Sequence, residues 1–154
     1  MKMAIGAALA VVLSFSISPV FAADHEVQMV NKDAEGRTMQ FEPAFLRVEP
    51  GDTVTFINKD KGHNSESLKG AIPEGAEAWK GKINQEITIT LTEEGFYAYK
   101  CTPHLAMGMV GLIQVGDDTS NQADIEAVKL PGKSKTRMEE LLADPIGAVR
   151  LSLL

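Results

Sequence analysis

One stretch of the chain concentrates donor atoms: Tyr99-Lys100-Cys101-Thr102-Pro103-His104-Leu105-Ala106-Met107-Gly108-Met109. It brings a thiol, an imidazole and two thioethers into a single loop, and Cys101 is the only cysteine of the 154 residues. Thiolate, imidazole and thioether are soft or borderline donors, which suit copper better than magnesium or calcium. Two imidazoles, one thiolate and a weak axial thioether form the donor set of an electron-transfer copper centre. The loop supplies Cys101, His104 and a methionine. The missing imidazole must come from elsewhere, and of the three histidines, at 25, 63 and 104, His63 completes the set.

Two methionines compete for the axial position. Met109 opens the apolar segment that leaves the loop, where a sheet can hold its side chain, and Gly108 before it permits a tight bend. Met107 lies mid-loop and reads as part of an apolar rim. Met39 could also approach from an edge strand, or serve as a flexible core filler. Asn64, next to His63, is placed to give its backbone N–H to the Cys101 sulfur and to tie the two ligand loops together. Four protein donors leave no open coordination position for a substrate, which argues for a carrier and against an enzyme. A copper-delivery protein would need exchangeable ligands, and a site locked into two β-loops does not offer them. A Cys–His hydrolase would need His104 further from Cys101 and a third orienting group.

The beginning of the chain bears on the compartment. Met1-Lys2, the apolar run Ala4–Ile17 and the small-residue site Val20-Phe21-Ala22 read as a secretory signal peptide, with cleavage expected after Ala22. Periplasmic localisation follows, with no membrane insertion after cleavage. Losing Lys2 takes the formal net charge from −6 to −6 − 1 = −7. That balance excludes nucleic acid as a partner, because phosphate binding needs a basic face. One cysteine allows no internal disulfide, and a lone thiol in an oxidising compartment must be buried or metal-bound.

The elements that position the donors read as β-strands. Glu26–Val30 alternates with period two, Met39–Val48 is extended with a break at Pro43, and Thr53–Ile57 is rich in β-branched residues. A polar loop from Asn58 to Gly70 carries His63, and Pro73–Trp79 suggests a turn or two of helix. Ile83–Leu91 alternates again, Phe96–Tyr99 leads straight into Cys101, and Met109–Val115 leaves the loop. Short strands divided by turn signals imply an all-β sandwich. After Gly116 the pattern turns helical over Asn121–Val128 and Lys135–Ala143, the second with Ser134 as N-cap and Asp144-Pro145 as its end. The expected organisation is a signal peptide, 1–22, and a single domain, 23–154, with the sandwich running to about 116 and a helical extension over 117–154. The tail from Ile146 to Leu154 has no place in this scheme.

Phe41-Glu42-Pro43-Ala44-Phe45, Pro50-Gly51-Asp52, Lys61-Gly62-His63-Asn64, Ile72-Pro73-Glu74-Gly75 and Lys100-Cys101-Thr102-Pro103-His104 with Met107-Gly108-Met109 resemble the pseudoazurins of the blue-copper cupredoxin family. The resemblance covers Ala23 to about Ala143. It implies an eight-stranded Greek-key sandwich followed by two C-terminal helices, and one type 1 copper held by His63, Cys101, His104 and Met109. It also implies a role in shuttling single electrons, often to a nitrite reductase of denitrification. Plastocyanin-like chains share the ligand spacings but lack the two helices, and amicyanin-like loops would make Met107 the axial ligand. Trp79 departs from the pattern, standing where a smaller aromatic is usual.

Three further expectations concern the surface. Leu105-Ala106-Met107 reads as an exposed apolar patch beside His104, the expected electron exit. Lys32, Lys61 and Lys100, with Lys80 and Lys82, are placed to rim it, while Glu93-Glu94, Asp117-Asp118 and Glu139-Glu140 lie elsewhere. A monomer docking on a redox partner fits this layout. Finally, cleavage after Ala22 would expose Ala23-Asp24-His25, whose amine, amides and imidazole could wrap a second Cu(II) or Ni(II) in a square plane.

Overall fold

The structure is a computed structural model and describes residues 22–143. The expected signal peptide up to Phe21, the expected helix end at Asp144-Pro145 and the tail lie outside the described residues. Eight strands form two four-stranded sheets. The first contains β1 (Asp24–Lys32), β2 (Thr38–Glu42), β4 (Thr53–Ile57) and β6 (Ile87–Thr90), in the order β2-β1-β4-β6. The second contains β3 (Phe45–Val48), β5 (Glu66–Ser67), β7 (Gly95–Lys100) and β8 (Val110–Val115), in the order β3-β8-β7-β5. A 3₁₀ turn, Leu105–Met107, links β7 to β8, and helices α1 (Gln122–Ala127) and α2 (Lys133–Ala143) follow. Among the described residues no helix is long and apolar enough to cross a membrane.

Alternation on β7 and β8 organises the interior. Tyr97, Tyr99, Cys101, Met109, Ile113 and Val115 face the space between the sheets, with Val27, Met29, Phe41, Val54 and Phe56 opposite. The intervening Phe96, Ala98, Val110 and Leu112 face the other way, onto Ile125 of α1 and Met138 and Leu141 of α2. Both faces of this strand pair are therefore covered, and its sequence is accordingly apolar almost without interruption. Burying the outer face is what the two helices do for the sheet. It also leaves Cys101 at the end of a strand clamped from both sides, which fixes its backbone.

Three local expectations need correction. Pro73–Trp79 forms no helix: the chain there runs through a turn and then lays Trp79 against Ser67, with Ser67 N–H donating to the Trp79 carbonyl (3.0 Å) and Trp79 N–H to the Ser67 hydroxyl (3.1 Å). The strand expected from Ile83 begins only at Ile87, because Asn84 adopts a left-handed conformation (φ 64°) and gives its N–H to the His63 carbonyl. Ile83 is consequently exposed. Ser134 sits inside α2 rather than capping it, and its buried hydroxyl donates to the Pro131 carbonyl.

The N-terminal segment is extended into β1, which pairs in parallel with β4 from Asp24 onward. An extended strand points successive amides to opposite sides, so in this arrangement those of Ala23, Asp24 and His25 do not converge on one point. Ala23 N–H and the His25 ring instead meet the two oxygens of the buried Asp52 carboxylate, each at 2.8 Å.

Candidate metal centre

Donors from two loops converge at one end of the sandwich. His63 lies in the loop between β4 and β5, Cys101 directly follows β7, and His104 and Met109 flank the 3₁₀ turn. The Nδ1 atoms of His63 and His104 are 3.1 Å apart. The Cys101 sulfur is 3.7 Å from the first and 3.5 Å from the second. His63, Cys101 and His104 thus form a cluster with all three donor atoms within 4.8 Å of one another. His63 and Cys101 are fully buried, whereas His104 is half-buried at the edge.

Hydrogen bonds behind the donors orient them. His63 Nε2–H donates to the Asn31 side-chain oxygen (3.0 Å), which fixes the tautomer and leaves the Nδ1 lone pair facing the cluster. The Asn64 amide oxygen accepts from Thr102 N–H (2.8 Å), and its Nδ2 donates to the Gly81 carbonyl (3.0 Å) and to Thr102 Oγ1 (3.3 Å). Asn64 therefore ties the His63 loop to the Cys101 loop, as its position in the sequence suggests. The backbone N–H groups of Asn64 and His104 favour the thiolate form of Cys101.

Met109 is tied to the other donors through the backbone. Its carbonyl accepts from Cys101 N–H (3.0 Å) and its N–H donates to the His104 carbonyl (3.3 Å). Its side chain is fully buried in the inter-sheet core, while Met107 is 45 % exposed. Gly108, between them, takes φ 96°, a conformation that turns the chain from the surface back into the sheet. Met39 is partly buried and packs against the same core.

The electrostatics favour a bound cation. Burial pushes the Cys101 thiol up from its ordinary value, with the two N–H groups opposing. Burial holds His63 below the usual imidazole range; His104 beside it adds to the effect and Asp60 opposes it. Without a metal the pocket thus holds a neutral thiol and a neutral imidazole with its lone pair directed inward. A soft cation would take the thiolate and use the unprotonated imidazoles as donors. Copper fits this donor set.

The site's mouth is apolar. Ala106 and Met107 are exposed beside His104, while Leu105 is half-buried against the core beneath the helices. Lys32, Lys61, Lys80 and Lys82 are exposed. Lys80 and Lys100 approach the same Glu66 carboxylate, at 3.5 and 4.0 Å.

Sequence reasoning missed two supports of the site. Asn31 follows the alternating run Glu26–Val30 with no local signal of a role; only the pairing of β1 with β4 brings it beside the His63 loop. The segment from Trp79 to Asn84, which runs along that loop, was likewise not anticipated as a support.

Residues 27–116 match the family model of copper-binding proteins of the plastocyanin/azurin family. The chain is 51 % identical over 137 residues to a pseudoazurin of Paracoccus pantotrophus, covering 89 % of this chain and 94 % of that one. A pseudoazurin structure from Sinorhizobium meliloti superposes with a TM-score of 0.78 at 53 % identity, covering 82 % of this chain and 98 % of that one. A chloroplast plastocyanin of Oryza sativa is 34 % identical over 119 residues, covering 71 % of this chain and 76 % of that one. The chain belongs to the copper-binding plastocyanin/azurin family and within it to the pseudoazurins, which are blue-copper electron carriers rather than enzymes.

Proposed function

We propose that His63, Cys101, His104 and Met109 hold one copper ion, and that the protein carries single electrons through the periplasm to a nitrite reductase of denitrification. The convergence of His63 Nδ1, His104 Nδ1 and Cys101 Sγ carries this reading. Copper bound there supplies a one-electron couple. The chain's own residues keep the geometry constant as the charge changes. Asn31 holds the His63 ring, Asn64 locks the two ligand loops, and the backbone N–H groups of Asn64 and His104 stabilise charge on the sulfur. Burial of Met109 and exposure of Met107 support Met109 as the thioether that would hold the copper.

His104 is the exit for the electron, because it alone of the cluster reaches the surface, within the Ala106-Met107 patch. The charge layout supports an acidic partner through the exposed Lys32, Lys61 and Lys82, since Lys80 and Lys100 share Glu66. Glu93 and Glu94 precede β7 whereas Lys100 ends it, so the acid lies a strand's length, about 20 Å, from the metal end. Asp117 and Asp118 follow β8 at that same far end. Such a dipole turns the His104 face toward a negative surface and raises the encounter rate more than the affinity.

The signal-peptide pattern of residues 1–22 supports a periplasmic mature protein, 23–154, working as a monomeric single domain. Stopped-flow oxidation of the reduced protein by a nitrite reductase over a salt series tests the reading. The rate is expected to fall as ionic strength rises, and Lys61→Glu to slow association without changing the potential. A rate flat in salt, or rising with it, contradicts the steering; no transfer at any salt contradicts the partner.

A further inference from the structure

Trp79 packs as an aromatic anchor should. Its ring stacks on Phe56 at 5.9 Å and lies 6.1 Å from Tyr99. Packing alone, however, does not require its indole N–H, which donates to the Ser65 hydroxyl at 2.9 Å. Ser65 is fully buried, so this bond is shielded from water and its two groups depend on each other.

Ser65 occupies a sensitive place. One residue before it, Asn64 accepts from Thr102 N–H through its side-chain oxygen, and its backbone N–H opposes the burial-driven rise of the Cys101 thiol; two before it stands His63. The segment carrying Trp79 runs alongside as an antiparallel strap. Gly81 N–H donates to the Ser65 carbonyl (2.8 Å), Asn64 Nδ2 to the Gly81 carbonyl, and Asn84 N–H to the His63 carbonyl (2.9 Å). The contact is close: a side chain at Gly81 would put its Cβ 3.0 Å from the Ser65 carbonyl oxygen. Within this strap, the Trp79–Ser65 bond is the tie that runs from the aromatic core directly to the ligand loop.

We propose that Trp79 is a positioning residue for the copper site, and that its bond to Ser65 fixes the His63–Asn64 backbone that carries both the imidazole and the side chain tying the two ligand loops together. The proposal rests on the ligand assignment above. Removing either group leaves the other buried and unpaired, and the loop shifts to satisfy it. Removing both lifts that demand.

The test is a double-mutant cycle of Trp79→Phe, Ser65→Ala and the double variant, each loaded with copper. Reduction potential, sulfur-to-copper band position, copper hyperfine splitting and the rate of copper loss to a chelator are read beside the melting temperature. Each single variant is expected to lose copper about tenfold faster, the usual scale for a support behind a metal ligand, with a shifted potential. The double variant is expected to return toward the parent in potential and copper retention, while staying less stable because the smaller ring leaves a gap. Single variants that melt earlier but keep the parent's potential, band and copper retention overturn the proposal, as does a double variant whose site changes are the sum of the two singles. If Trp79→Phe does not fold, Ser65→Ala alone decides, since it removes the same bond with little change in volume. Failure of the ligand assignment looks different: the unaltered protein would then show no charge-transfer band at all.

Discussion

Replacing Asn31 by alanine takes away the acceptor behind the His63 ring and nothing from the donors themselves. The ring is fully buried and Nε2–H then lacks its partner, a loss worth about 1–3 kcal/mol for a shielded group. Asn31 itself is exposed, so water can enter the vacated space and recover part of that loss. The cost therefore falls near the lower end, about 1.4 kcal/mol, which is about tenfold in copper affinity. The Asn31 backbone N–H, which donates to Asp60 Oδ2 at 2.7 Å, is untouched, so the turn persists. Competition titration of the reduced protein against a copper(I) chelator reads the affinity directly. Asn31→Asp supplies a charged acceptor instead, makes His63 the more basic donor, and is expected to lower the reduction potential. An affinity within twofold of the parent for Asn31→Ala, together with an unshifted potential for Asn31→Asp, would refute the claim that this bond orients the ligand.

Leu141 is fully buried where α2 covers the sheet, and Leu141→Ala is expected to cost about 2–5 kcal/mol in chemical unfolding while leaving the copper spectrum unchanged; a spectral change would mean that the helices shape the site and do not merely cover it. The metal-free protein is expected to lose stability as pH falls below 6.5, where the unfolded chain protonates His63 before the folded one does, its imidazole being held low by burial. A second loss is expected below pH 3.8 from Asp52, whose burial raises its carboxyl but whose bonds from Ala23, Glu49 and His25 outweigh that and lower it, so that its stabilisation is present above that pH and disappears as the folded carboxylate protonates. Denaturant titrations across pH check both, and Asp52→Asn that keeps the acid loss unchanged would contradict the second.

Most of the candidate site was legible in the chain because three of the proposed donors lie within one loop and His63, which the structure brings beside Cys101 and His104, is one of only three histidines. Cys101, His104 and Met109 are local in sequence; residue chemistry marks the first two, and position at the start of a strand separates Met109 from Met107. Asn31 was out of reach because its role exists only through a parallel strand pairing between β1 and β4, a contact that no local pattern signals. The strands were legible where alternation coincided with burial, as in Thr53–Ile57. Alternation misled at Ile83, where Asn84 turns its N–H to His63 and breaks the extended run. Helix-forming residues misled at Pro73–Trp79, where Glu74, Ala76, Glu77 and Ala78 suit a helix but the pairing of Trp79 with Ser67 holds the chain extended. In both places tertiary hydrogen bonds, one to the His63 loop and the other to the strand that follows it, overrode local preference.

The visible absorption spectrum of the purified protein with Cu(II), recorded beside that of Cys101→Ser, tests the central claim most directly. Thiolate ligation by Cys101 predicts an intense sulfur-to-copper charge-transfer band and a blue colour in the parent, and loss of both in a Cys101→Ser variant whose β-sheet circular dichroism is retained. A parent without the intense band, or a Cys101→Ser variant that keeps it, would contradict the account.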